Sequence, residues 1–222
     1  MKFENTQVFN FEGAFRGMRN PLNSWDRSDS QWHVPYYADV YDTEPVDWND
    51  RVGEKDMELA QKLIAGGSPH RKFLRQILVS VDITAPIYWF KEFDTYKVGT
   101  VANSTSTMHK LATTPITMDC FELDDFDPTV MNVEGWIELL EDLRKAYLAT
   151  KDKRLWKELV RWLPEGWLQK RTVTMNYEAI RQIVYWRKGH KLSEWQKFID
   201  WAYTLPYADE LIFYNGGNEN GD

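Results

Sequence analysis

The chain has 222 residues, 43% of them hydrophobic and 15% aromatic, with eleven Trp and a net charge of −7 from 27 basic and 34 acidic residues. That is enough apolar material for a substantial core. The acidic balance argues against a general nucleic-acid coat protein while leaving room for a local basic pocket. A single Cys120 rules out an internal disulfide, and no run of about 20 apolar residues predicts a membrane span.

The first fifty residues read as turns, punctuated by Asn20-Pro21, residues 26–30 and Thr43-Glu44-Pro45, with one short strand at 6–11. Residues 53–66 predict a helix with Leu59, Leu63 and Ile64 inward, stopped by Gly66-Gly67-Ser68-Pro69. Ile77, Val79, Val81 and Ile83 alternate, which predicts a strand with one wet face. Thr84 then reads as a cap and Pro86 as the first turn of a helix continuing through 87–93. Residues 98–110, with Gly99, Ser104 and Ser106, read as a small-residue loop able to approach a ligand closely.

Val133–Thr150 predicts an amphipathic helix behind Asn132, with Trp136, Leu139, Leu140, Leu143 and Tyr147 on one side. A second helix covers 155–163 and ends before Pro164, and a third covers 176–187. Ser193-Glu194-Trp195-Gln196 reads as a capping box opening the last helix, lined by Trp195, Phe198, Ile199 and Ala202. Residues 215–222 are Gly, Asn and acid and read as a disordered tail. The sum is a helix-rich α+β domain over residues 1–214 with a small, mostly antiparallel sheet.

Arg187 is the residue that periodicity leaves out of place. At about 100° per residue it falls on the apolar face of its helix with Ile180, Ile183 and Val184. Asn176 falls within roughly 20° of it by the same arithmetic. A guanidinium cannot shed its charge, so either an internal carboxylate such as Glu178 or Glu194 meets it, or an anionic ligand does. Asn176 reads equally as the cap of the helix. His70-Arg71-Lys72 with Arg75, and Lys91 and Lys97 beside the small-residue loop, read either as solvated faces or as phosphate contacts. His33, His70, His109 and His190 lack zinc spacing, and Gly66-Gly67 lacks the Gly-Lys-Ser/Thr of a phosphate loop. The acidic run Glu122, Asp124, Asp125, Asp127 lacks EF-hand spacing. No metal site is expected. Met1-Lys2-Phe3-Glu4-Asn5 lacks the apolar stretch of a signal peptide, so a cytoplasmic protein with no membrane or nucleic-acid partner is expected.

Two segments resemble the flavin-dependent thymidylate synthases, the ThyX family. In that family an Ala-Pro-Ile/Leu helix start precedes Arg-His-Arg-x-x-Ser-x-Asn-Glu-x-Ser-x-Arg-Tyr. Here Ala85-Pro86-Ile87 leads to Thr95-Tyr96-Lys97 at the place of Arg-His-Arg, with Thr100 and Thr105 on the two Ser, Asn103 on Glu and Thr107 on the last Arg. In the second segment Leu163-Pro164 leads to Thr174-Met175-Asn176, Arg187 falls on the family Arg without a gap, and Trp195 falls on the Trp of Ala-Gln-Trp-Glu-Ile. The resemblance covers residues 55–111 and 163–202.

It implies a homotetramer whose sites lie between subunits and bind FAD and a nucleotide, with Asn176 at the flavin and Arg187 at nucleotide and flavin. The departures imply a changed client. Lys97 keeps one charge of the Arg-His-Arg and lacks the planar fork. Thr107 cannot replace a gripping Arg. Val160 stands where the family has another nucleotide-contacting Arg, with Arg161 one step away, about 100° around the helix. Each missing charge-assisted hydrogen bond is worth on the order of 1.5–3 kcal/mol. The sequence therefore reads as a diverged ThyX-like protein that holds a nucleotide or similar anion at a subunit interface, without making thymidylate. Arg187, Asn176, Lys97, Lys91, Thr105 and Arg161 are its candidate ligand contacts, and FAD retention is open. Sequestration of the nucleotide, from a viral source, is one form of this reading. An active FAD-dependent synthase and a structural protein that keeps only the fold are the alternatives.

Overall fold

The computed structural model of the chain describes residues 1–36, 47–124 and 126–216. The turn read at Thr43-Glu44-Pro45, Asp125 of the acidic run and residues 217–222 of the tail lie outside the described residues. In chain order the elements are β1 (Lys2–Phe9), α1 (Phe11–Arg19), β2 (Gln31–Tyr36), β3 (Asp47–Arg51), α2 (Glu54–Ala65), β4 (Leu78–Pro86), α3 (Ile87–Phe93), β5 (Val101–Ser104), α4 (Thr107–Lys110), α5 (Val133–Thr150), α6 (Lys153–Arg161), β6 (Leu168–Asn176), α7 (Tyr177–Arg187) and α8 (Ser193–Tyr203).

A four-stranded sheet runs in the order β1-β4-β6-β5, and β2 pairs separately with β3, antiparallel. The Tyr177 amide donates to Ile77 O and the Ile87 amide to Trp167 O, so β4 and β6 are also antiparallel. The architecture is thus the expected helix-rich α+β with a small antiparallel sheet. Among the described residues no helix is long and apolar enough to cross a membrane, and no group of three or more His, Cys, Asp or Glu is placed to hold a metal.

The chain divides into two compact units. The first comprises Met1–Asn5, Val81–Lys97 and Val101–Val173. It has its own core, in which Ile137 and Leu140 of α5 and Leu159 of α6 pack with Leu111, Ile116 and Phe121. Asn132 caps α5 as expected, its side chain accepting from the Gly135 amide at 3.0 Å. The buried face of α5 differs from the periodic reading. Leu139 is 51% exposed, and Arg144 is buried with Ile137 and Leu140. Arg144 turns inward because Glu141 receives its Nε and Nη2, each at 2.6 Å, while Nη1 donates to Ala112 O. The helix α6 begins at Lys153, capped by Asp152, two residues earlier than expected.

The second unit comprises Thr6–Ser80, Val98–Thr100 and Thr174–Asp222. Its α1 corrects the reading of the first fifty residues as turns. Phe11, Ala14, Phe15 and Met18 are buried at helical spacing, a signal masked by Gly13 and Gly17, which disfavour a helix interior. On α2 the buried face is Asp56, Ala60 and Ile64, and Leu59 and Leu63 are only half-buried. The cause is again a paired charge. Asp56 is fully buried and accepts from Arg19 Nε at 2.5 Å, Ser28 Oγ at 2.6 Å and Ser30 Oγ at 2.5 Å.

Elsewhere local signals hold with shifted ends. Ile77, Val79, Val81 and Ile83 are all fully buried, but β4 continues to Pro86, so Thr84 is a strand residue and not a cap. Part of the loop read at 98–110 forms β5 and the short α4, the latter capped by Ser106. Trp195, Phe198, Ile199 and Ala202 line α8 as expected, yet its cap residue is Leu192, without a side-chain cap. The capping box does not form, because Ser193 already lies inside the helix.

Two expectations follow. Removing the partner of a buried Arg leaves an uncompensated charge, so Asp56→Ala should lower stability by about 3–5 kcal/mol, read from the denaturant midpoint. The Arg144 guanidinium holds the Glu141 carboxyl down to about 2, from an ordinary value of 4.5. A depressed carboxylate contributes fully above its ordinary value and loses that contribution as pH falls through its folded value. Thermal unfolding should therefore show the parent chain losing its advantage over Glu141→Gln as pH falls from about 4.5 to about 2.

Candidate functional site

The strand β6 ends at Asn176, whose extended backbone breaks the helix and whose side chain caps it. Asn176 Oδ1 accepts from the Ala179 amide at 2.9 Å, the geometry of an N-cap. The other end of the same amide meets Gly99. Gly99 has φ +77°, and a Cβ there would come within 2.5 Å of Asn176 Nδ2. Only glycine satisfies both the left-handed backbone and the close approach. Gly99 therefore lies against Asn176.

From that cap α7 runs with Tyr177, Ile180, Ile183 and Val184 buried. Its last residue, Arg187, is half-buried, and Nε is among the buried atoms. The guanidinium carbon lies 4.6 Å from the centroid of the Trp195 ring, a cation–π contact. Trp195 is itself fully buried on α8. Of the two carboxylates proposed to meet Arg187, Glu178 is engaged elsewhere: Arg71 Nε donates to its oxygens at 3.0 and 3.1 Å. The Arg71 of the basic cluster thus serves an internal ion pair. Beside the indole, His190 stands edge-on with ring centroids 6.2 Å apart, and its Nδ1 accepts from the Leu192 amide at 3.1 Å. With Nδ1 an acceptor, a neutral His190 carries its proton on Nε2.

Asn176 and Arg187 belong to the second unit, and Lys91, Lys97, Thr105 and Arg161 to the first. Lys91 forms an ion pair with Glu165, and Arg161 forms one with Glu158, whose other oxygen accepts from Trp162 Nε1 at 2.9 Å. Lys97 is exposed. Thr105 is exposed and tied to β6 through its backbone, its amide donating to Lys170 O and its carbonyl accepting from Gln169 Nε2. The Thr95 hydroxyl donates to Glu92 O at 2.7 Å within its own turn.

Three site features lie beyond the sequence reading. Helical periodicity marks Trp195 as core and says nothing of it as the surface on which Arg187 rests. Gly99 reads as loop, although a lone glycine beside small residues is the ordinary mark of a close approach. His190 carries no pattern at all.

No family model matches the sequence, and no curated relative does. Solved structures do match. The crystal structure of flavin dependent thymidylate synthase ThyX from Helicobacter pylori, complexed with FAD and dUMP, superposes with a TM-score of 0.69 at 16% identity, over 96% of this chain and 98% of that one. A second structure of ThyX from Helicobacter pylori, with FAD and dUMP, gives 0.68 at 15% identity, over 98% and 100%. The chain has a ThyX-like fold along nearly its whole length.

Gly99→Ala should cost about 1–2 kcal/mol from the left-handed backbone alone. It should also displace the Asn176 amide, seen as altered chemical shifts at Asn176 and Ala179.

Proposed function

We propose that the chain binds a nucleotide or a similar small anion at a site organised by Arg187 and Asn176, in a homo-oligomer, and does not make thymidylate. One observation carries this reading. In a fold shared with proteins solved in complex with FAD and dUMP, Arg187 is held by an indole at the end of a helix capped by Asn176. A guanidinium carries five N–H donors in a planar fork, the geometry that recognises a phosphate or a carbonyl oxygen, and the ring contact orients that fork. Lys97, beside the small-residue segment, and Thr105, within it, are further candidate contacts drawn from the resemblance. Lys91 and Arg161 would have to exchange Glu165 and Glu158 for the ligand, which makes them the weaker pair.

The segment at 95–97 is a poor match for a flavin diphosphate, which carries two negative charges. Thr95-Tyr96-Lys97, in place of Arg-His-Arg, offers one cation, and the Thr95 hydroxyl is spent on Glu92. Binding without turnover is retention of the ligand, and sequestration at a subunit interface is the function it supports.

Calorimetry against a panel of pyrimidine and purine nucleotides, with a visible absorbance spectrum of the purified protein, tests this. The expected result is saturable binding of at least one mononucleotide, weakened about tenfold or more by Arg187→Gln, as loss of a charged hydrogen bond requires, with no flavin band. Absence of binding across the panel overturns the reading. A flavin band with thymidylate formation replaces it with the flavoenzyme. Arg187→Gln that lowers stability but leaves affinity intact makes the arginine a structural residue.

A further inference from the structure

A second cluster of charge lies in the second unit, built from residues the Arg187 site does not use. A cleft of about 610 Å³ opens between the turns that follow α1 and one side of α2. Arg19 is part of its lining although the residue is only 4% exposed. Its Nε is held by Asp56 at 2.5 Å, and its Nη1 by Ser24 O at 3.2 Å and Ser24 Oγ at 3.4 Å. Nη2 makes no hydrogen bond among the described residues. A guanidinium keeps its charge at any ordinary pH, so Arg19 is a permanently charged residue in the lining of the cleft.

Three more cations, Arg27, Lys55 and Lys62, line the same cleft, and none is in an ion pair among the described residues. They face two carboxylates, Asp26 and Glu58. With Arg19 neutralised by Asp56, Arg27, Lys55 and Lys62 against Asp26 and Glu58 leave one net positive charge and several N–H donors along the cleft. A phosphate offers these spread donors more acceptor oxygens than a carboxylate does. The cleft shares Leu22, Leu59 and Lys62 with a neighbouring cavity of about 280 Å³, which Leu63 also lines. That apolar shelf explains an otherwise wasteful feature of α2: Leu59 and Leu63 lie only half-buried because Asp56 has turned the helix.

We propose that this cleft is a binding site for a small phosphate ester, with the phosphate on Arg19 Nη2, Arg27, Lys55 and Lys62 and the organic group on Leu22, Leu59 and Leu63. The site stands independently of the Arg187 reading.

The test uses two probes on the full chain, inorganic phosphate and phenyl phosphate, titrated by calorimetry. Phenyl phosphate should bind saturably and more tightly than inorganic phosphate, because only it reaches the leucine shelf. The double variant Lys55→Gln/Lys62→Gln changes exposed side chains, so its thermal unfolding should match the parent, and its affinity for phenyl phosphate should fall about tenfold or more. Arg187→Gln should leave that affinity unchanged. Lack of saturable phenyl phosphate binding, or binding untouched by Lys55→Gln/Lys62→Gln, overturns the proposal. So does binding abolished by Arg187→Gln, which would assign the phosphate to the other site.

Discussion

The Asn176 side chain joins strand, helix and loop at a single amide. Its oxygen closes the first turn of α7, its nitrogen is packed against Gly99, and the next residue's amide donates to the carbonyl of Ile77, the residue just before β4. An N-cap is worth about 1 kcal/mol on its own. Its structural effect is larger, because it sets where α7 begins. Eleven residues later the helix delivers Arg187 to the face of Trp195. A helix begun one residue earlier or later would rotate that arginine by about 100° and lose the indole.

Buried charge is the second organising force. Arg19 with Asp56, Arg71 with Glu178 and Arg144 with Glu141 place six charged groups in or near the interior, each with a hydrogen-bonded opposite charge. Such pairs gain little net stability over apolar packing, since desolvation offsets the Coulomb attraction. They do select geometry. Asp56 turns α2 so that Leu59 and Leu63 point partly outward, and Arg144 turns α5 so that Leu139 is exposed. Arg187 adds a contact of a different kind, its guanidinium lying over the Trp195 ring.

At 16% identity the likeness to the Helicobacter pylori structures is a likeness of backbone. The segment 95–107, which departs from the Arg-rich motif it resembles, is largely exposed and lies outside the core. A fold held by Ile77, Val81, Ile180 and Trp195 can keep its shape while its clients change.

What the sequence by itself determined are the features that depend on neighbours a few residues apart. The alternation through Ile83 marks β4, Asn132 starts α5 at Val133, Asn176 caps α7, and together these define a helix-rich α+β fold. The first helix is legible in principle at Phe11, Phe15 and Met18, but Gly13 and Gly17 argue locally against it. Tertiary structure alone decided which charges are buried, because their partners are remote: Asp56 lies 37 residues from Arg19 and Glu178 lies 107 from Arg71. It decided the helix rotations that follow from those pairs, and the loss of the capping box at Ser193. It also decided that Arg187 rests on an indole. Periodicity reports that a charge lies on an apolar face, and only the packed neighbour says what receives it.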